Sequence, residues 1–362
     1  MTATEVNGTV GRVTLQTIAD RVGVSRMTVS NAFSRPDQLS PAMRRRILDT
    51  ADELGYVGPD PTARALARGS TGAVGVLLTE SVRCAFTDEI ATGFLRAVAG
   101  ELEPTGLALT LLTTSTGPVV PARDVAIDGA IVYSCIADSE SLSWLRRRRI
   151  PQVHVDLAPV EGIDNVTIED RAGARDAARH LVDLGHRRIA LVLPGPPDRC
   201  GIRDEPPEDL GLHVADERLH GWMDVLGPAG VRPRVLVRPK NLPLHDTTHV
   251  RNLLESPGRP TAVLCYSDLI AVAVLDAAAA LGLDVPGDLS VIGFDDAPLA
   301  GRVRPGLTTV RQDIEAKGRL AVRTLTDLLS RPDPAGTQPP AGRIVLPVEL
   351  VVRGSTAPPP EA

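Results

Sequence analysis

The stretch "VGVSRMTVSNAF" (Val22–Phe33) decides how the start of this chain is read. Gly23 is a natural helix stop, because a left-handed backbone costs glycine little. Two residues later, Ser25 is a good helix N-cap. At about 100° per residue, Arg26, Met27, Ser30 and Asn31 fall in one sector of the helix that follows, and Val29 and Ala32 point the other way. The outer stripe is either a solvated face or a set of side chains that read DNA.

Working outward, "TLQTIADRV" places Leu15, Ile18, Ala19 and Val22 on one helical face, with Thr14 as its cap. Two capped helices joined by a turn of about three residues have the spacing of a helix-turn-helix. "SPAMRRRILDTADELGY" is a third helix, with Ser40 as cap, Pro41 at its first position and Met43, Ile47, Ala51 and Leu54 as its apolar face. Hydroxyl side chains suited to phosphate contacts flank the outer stripe, and Arg and Asn can bond base edges in the major groove, so the pattern favours reading DNA. "VGPDPTARALARGSTG" (Val57–Gly72) reads as a linker in which "PTARALARG" can form a helix too short to stand alone in water.

From Ala73 the pattern changes to apolar strand runs alternating with amphipathic helices: "AVGVLL", "LALTLLT", "GAIVYS", "PQVHVD", "RIALVL", "TAVLCYS" and "LSVIGFDD". Continuous apolar strands that take turns with helices indicate parallel sheets, and about 280 residues of this suggest two of them. The chain of 362 residues is 43% hydrophobic and 23% charged, as expected of a soluble globular protein. Its net charge of −6 is unevenly placed. Residues 1–68 carry nine Arg against seven Asp or Glu, and the remainder carries 30 cations against 38 anions. A surface for DNA therefore belongs to the N-terminal segment. No apolar run spans a bilayer or follows a basic leader, so a cytoplasmic protein without membrane contact is expected. Cys84, Cys135, Cys200 and Cys265 lack paired spacing, and His180, His186 and His220 are scattered, so no metal, cofactor or catalytic group is expected. "RRRR" (Arg146–Arg149) ends a helix and reads as a solvated face.

These blocks resemble the lactose-repressor-like LacI/GalR family of bacterial transcriptional regulators. The resemblance rests on "VTLQTIADRVGVSRMTVSNAF", "LSPAMRRRILDTADELGYVGPDP", "NVTIEDRAGARDAARHLVDLGHRRIALV", "SDLIAVAVLDAAAALGLDVPGDLSVIGFDD" and "LPVELVVRGST", in order and spacing. It implies an α/β protein: an all-α helix-turn-helix domain at 13–57, a hinge helix and linker at 58–70, and a periplasmic-binding-protein-like domain at 71–354. Two doubly wound parallel-sheet subdomains make up that last domain, one near 71–157 and 312–341, the other near 158–311 and 342–354, with a disordered tail at 355–362. Arg26, Met27 and Asn31 are implied to read bases; Thr14, Ser25, Thr28, Ser30, Ser34, Ser40 and Tyr56 to touch phosphates. Leu66 is implied to enter the minor groove from the hinge helix, although the segment from Tyr56 to Leu66 is one residue longer than the common pattern.

The implied function is that of a homodimeric, repressor-type regulator of an inverted-repeat DNA operator. A small-molecule effector, by default sugar-like or another polar metabolite, would lie between the subdomains against Asp156, Arg218 and Asp268. Asp295 and Asp296 are expected to shape the floor of that cleft or the contact between the subdomains rather than to bind ligand. Aromatic residues at 2% make a stacked purine ring a poor fit. The long acidic, Pro-rich loop at 194–217 departs from the family. The rival reading is a cytosolic metabolite-binding protein or sugar-processing enzyme whose N-terminal helices serve only in dimerisation.

Overall fold

The computed structural model describes residues 13–58, 60–78, 85–114, 119–134, 139–195, 199–239, 246–331 and 341–361. Residues 1–12, Cys84, Cys135 and part of the 194–217 loop lie outside them. The chain divides into two compact units, Met1–Thr71 and Gly72–Ala362.

In the first unit, α1 (Leu15–Val22) opens on a reciprocal cap in which the Thr14 hydroxyl accepts from the Thr17 amide and Thr17 returns the bond. Gly23, at φ 78°, ends it. Ser25 caps α2 (Arg26–Ser34) and Ser40 caps α3 (Pro41–Glu53), each through its hydroxyl. Ile18, Ala19, Val22, Val29, Ala32, Ile47 and Ala51 are buried together, and burial of each larger side chain stabilises by about 1.5–3 kcal/mol. Two arginines of α3 tie the bundle. Arg44 donates to the Ala32 carbonyl at 3.3 Å and Arg46 to that of Val22 at 3.1 Å, where helix ends leave carbonyls without partners. α4 (Pro61–Arg68) is capped by Asp60 and stopped by Gly69 at φ 70°, and it buries no described side chain.

The second unit contains two sheets. Strands β1 (Ala73–Leu78), β2 (Ala108–Thr113), β3 (Gly129–Tyr133), β4 (Gln152–Val155), β5 (Asp164–Ile168) and β12 (Arg343–Leu346) form the first, in the order β12-β5-β4-β3-β1-β2. The second runs β13-β11-β10-β9-β6-β8-β7, built from β6 (Ile189–Gly195), β7 (Gly201–Arg203), β8 (Arg234–Pro239), β9 (Ala262–Cys265), β10 (Ser290–Asp295), β11 (Thr308–Gln312) and β13 (Val348–Val351). Among the described residues, only β13 on β11 and β7 on β8 pair antiparallel. Alternate residues of each central strand enter different cores, as for a sheet covered on both faces: Val74, Val76 and Leu78 in one, Leu77 in the other.

Three expectations change. β5 and β12 belong to the first sheet, so the chain crosses between subdomains after Ile168, after Gln312 and at Pro347, not at 157, 311 and 341. A strand's partner cannot be read locally when it lies near the far end of the chain, as for Asn165 beside Arg343. The segment expected as a disordered tail is bound. Ser355 is buried, donating to the Val291 carbonyl at 2.6 Å and accepting from the Thr308 amide at 2.8 Å. His186 joins the same network, spanning Thr261, Ser290 and the Ala357 carbonyl. These bonds satisfy polar groups at the amino ends of β10 and β11, which would otherwise lack partners. Within "RRRR", Arg148 is no solvated charge: it donates to the Ala122 and Val125 carbonyls at 2.7 and 2.8 Å.

Candidate DNA-reading surface and effector cleft

On α2, Arg26 is exposed and Met27 is 69% exposed, while Val29 and Ala32 face the core. The outward stripe is therefore presented by the packing of the opposite face. The Asn31 amide donates to Gln38 Oε1 at 3.1 Å, which orients it; Gln38 had no signal in the sequence. The hydroxyls of Thr14, Ser25 and Ser40 cap helices by accepting from backbone amides, and an accepting hydroxyl retains a proton to donate to a phosphate oxygen. Thr28 is hydrogen-bonded to Ser25 at 2.8 Å. Ser34 differs, because its proton goes to the Ser30 carbonyl at 2.9 Å. Tyr56 meets Phe33 edge-on, with centroids 5.7 Å apart. Leu66 on α4 is 86% exposed.

In the second unit, the carboxyl ends of strands from both sheets carry one polar constellation. Asp156 follows β4, Asp295 ends β10, Gln312 ends β11, and Tyr133 and Tyr266 end or follow β3 and β9. In open α/β sheets, ligands bind in the crevice at such ends. The backbone is strained there: Ser134, Asp156, Asp295 and Asp296 have φ of 49°, 59°, 111° and 55°. Non-glycine residues hold such angles only where their surroundings enforce them.

The side chains form a continuous buried relay. The Lys317 ammonium, on α13 (Ile314–Ser330), donates to both oxygens of Asp156 at 2.9 and 2.7 Å and to Gln312 Oε1 at 2.6 Å. Gln312 donates to Asp295 Oδ1 at 2.7 Å. Arg218, on α9 (His213–Leu226), reaches the same oxygen at 3.3 Å, Asp170 at 2.8 Å and the Tyr266 carbonyl. Its guanidinium lies over the rings of Phe294 and Tyr266, 3.5 and 4.8 Å from their centroids. Close glycine contacts hold both cation-bearing helices. A Cβ on Gly221 would stand 2.4 Å from the Arg171 carbonyl oxygen of α8 (Asp170–Asp183), and one on Gly318 2.6 Å from the Ala97 Cβ of α5 (Glu89–Leu102).

The charges of this site act on one another across both sheets. Burial, with Asp156, Asp88 and Asp295 nearby, raises the Tyr133 phenol well above its ordinary value. Burial pushes Asp295 up to about 7, against the pull of Arg218, and also raises Asp170. Burial disfavours the Arg218 charge, yet Asp295 and Asp170 outweigh it and hold the guanidinium charged.

Of the three residues expected to bind effector, Asp156 and Arg218 are thus joined through Lys317, Gln312 and Asp295. Asp268 stands apart from that chain. Its two oxygens accept from the Thr309 hydroxyl at 2.5 Å and the Ala297 amide at 2.8 Å, and burial pushes its carboxyl up to about 8. Lys317, Gln312, Asp170, Tyr133 and Tyr266 were not anticipated. Asp295 was named only as cleft floor or interdomain contact. Glu89 also crosses between the subdomains, accepting from the Leu299 amide of α12 (Pro298–Arg302) at 3.0 Å. Among the described residues, no group of three or more His, Cys, Asp or Glu is placed to hold a metal ion, and no helix is long and apolar enough to cross a membrane.

Comparison with known proteins agrees with both units. Residues 14–58 match the model for bacterial regulatory proteins of the lacI family, and residues 178–356 that for a periplasmic binding protein-like domain. An HTH-type transcriptional regulator of Mycolicibacterium smegmatis is 36% identical over 367 residues, covering 96% of this chain and 97% of that one. The HTH-type transcriptional regulator IpsA of Corynebacterium glutamicum is 37% identical over 332 residues, covering 88% and 92%. Among solved structures, the lac repressor dimer bound to operator and the anti-inducer ONPF superposes with a TM-score of 0.74 at 25% identity, covering 95% of this chain and 99% of that one. The transcriptional regulator CelR in complex with cellobiose does so at 0.66 and 29%, covering 95% and 100%. The chain belongs to the lacI family of bacterial regulatory proteins: it is a DNA-binding transcriptional regulator that responds to a ligand of its periplasmic-binding-protein-like domain.

Proposed function

We propose that this regulator is a homodimeric repressor of an inverted-repeat operator, relieved or reinforced by a polyhydroxylated effector held between the two sheets. The observation that carries the effector site is the buried relay from Asp156 to Asp170, which joins strand ends of both subdomains. An effector that favours one arrangement of those ends shifts the balance between two subdomain positions by its difference in affinity for them. Gly72 is bonded into the first sheet, its amide donating to Asp128 at 2.8 Å and its carbonyl accepting from Ala108. Movement of that subdomain therefore reaches the linker through the chain itself.

On DNA, Arg26 donates to guanine, Met27 makes apolar contact, for example with a thymine methyl, and Asn31 reads a third base. A bidentate arginine–guanine pair discriminates by about 1–3 kcal/mol. Thr14, Ser25, Thr28, Ser30, Ser34, Ser40 and Tyr56 orient the head on phosphates, and Leu66 wedges into the minor groove at the operator centre. The lac repressor–operator and CelR–cellobiose complexes support both halves of this reading by similarity.

The test is selection of bound sequences from random duplex DNA by the full-length protein, repeated with uncharged mono- and disaccharides. A palindrome of roughly 14–20 bp, about one helical turn between half-site centres, is the expected product. Arg26→Ala is expected to lose it with the fold intact. Unchanged selection by that variant removes Arg26 from the reading.

A further inference from the structure

The acceptor groups at one end of the relay enclose an ammonium, and the ammonium belongs to the protein. Lys317 is fully buried, and its three N–H donors meet three acceptors: both Asp156 oxygens and Gln312 Oε1. That is a complete coordination shell for a primary ammonium. The side chain cannot swing away easily, because Gly318 sits against Ala97 and the Phe94 carbonyl, fixing α13 on α5. Asp156 was expected to offer its carboxylate to an effector, but both of its oxygens already hold the lysine.

We infer that the cleft contains an ammonium subsite, built by Asp156 and Gln312 and filled by the chain's own Lys317, and that this occupancy bars amine-bearing molecules from the cleft while admitting uncharged ones. The part that concerns effectors rests on the function proposed above. A free amine that seeks Asp156 must displace a tethered competitor whose effective concentration is at least millimolar. It must also leave the lysine charge buried without a partner, which is strongly unfavourable. An uncharged polyol faces neither obstacle, because each carboxylate oxygen retains lone-pair capacity for a hydroxyl donor.

The subsite is tested without any effector. Lys317→Ala keeps the β-carbon and vacates a space with the shape of n-propylammonium. The full-length variant is expected to melt about 5–10 °C below the parent, because Asp156 is left buried and unpaired. Propylammonium chloride at millimolar concentrations is expected to restore several degrees in a saturable way. n-Propanol and tetramethylammonium chloride at equal concentration are expected to do nothing, and Lys317→Ala/Asp156→Asn is expected to ignore all three. If Lys317→Ala does not fold unaided, the readout is refolding yield from urea in propylammonium against propanol. Equal effects of propylammonium and propanol overturn the subsite. In a second arm, the parent and Lys317→Met are titrated with glucose, cellobiose and glucosamine. The parent is expected to exclude glucosamine, and Lys317→Met to improve its binding at least tenfold relative to glucose. Glucosamine binding as well as glucose in the parent overturns the exclusion. If the parent binds none of the three, the polyhydroxylated-effector reading fails and the propylammonium result still decides the subsite.

Discussion

Gln312 donates to Asp295 at 2.7 Å and accepts from Lys317 at 2.6 Å, so a single amide joins two buried ion pairs. It is the last residue of β11, where the chain leaves the second sheet for α13. Gln312→Leu is expected to cost about 1–3 kcal/mol, because it leaves the ammonium short of one acceptor and Asp295 short of one donor. Urea unfolding of the purified variant measures this. An unchanged midpoint shows that the amide bonds contribute nothing net.

Stability is expected to fall as pH rises from about 6.5, above the range in which the buried histidines titrate, to about 8. Asp268 and Asp295 are raised by burial to about 8 and about 7, so the folded chain binds their protons more tightly than the unfolded chain does. Their contribution is complete below the ordinary carboxylate pKa and is lost as pH climbs through 7 and 8. Each contributes up to about 1.4 kcal/mol per pH unit in that window. Asp268→Asn imitates the protonated form and is expected to flatten the slope of thermal midpoint against pH. A parent whose midpoint rises over this range contradicts the burial of these charges.

The sequence made the head legible almost to the residue. Thr14, Gly23, Ser25 and Ser40 are local signals, since a cap and the amide it satisfies lie within three residues of each other. Alternating apolar runs likewise announced two parallel sheets. The cleft was legible only in part. Lys317 and Asp156 meet through the fold alone, and nothing in "QDIEAKGRL" marks its lysine as buried. Average composition does not show position: aromatic residues are scarce overall, yet Tyr133, Tyr266 and Phe294 lie at or beside the strand ends. The Pro-rich tail had the composition of disorder, but its polar atoms meet strand-start groups whose need for partners shows only once the sheet exists.

Ser25 separates folding from DNA contact. Aspartate is as good an N-cap as serine, so Ser25→Asp is expected to hold stability within about 0.5 kcal/mol. The same carboxylate repels phosphate, and binding is expected to weaken more than tenfold on operator and random DNA alike. Fluorescence anisotropy on both duplexes reads this. Loss confined to the operator would make Ser25 a base reader.

Leu66 is exposed on a helix that buries no described side chain, so Leu66→Ser is expected to leave the thermal midpoint unchanged. Operator affinity is expected to drop at least tenfold, about 1.4 kcal/mol, with binding to random duplexes little altered. Equal affinity for the operator removes the wedge from the proposed binding mode.

Deletion of residues 355–362 removes the partners of Thr308, Ser290, Val291 and His186. A loss of roughly 3–5 kcal/mol is expected from several buried bonds at about 1 kcal/mol each. Urea denaturation monitored at the buried Trp222 reports it. An unaltered curve shows the segment to be dispensable.

That last segment, together with β12 and β13, also sets a timetable for synthesis. Each sheet takes one edge strand from the final twenty residues or so of the chain, whereas the head is complete by residue 71. Domains fold in the order they leave the ribosome. A nascent chain therefore carries a finished helical head while both sheets of its ligand-responsive domain still lack an edge strand.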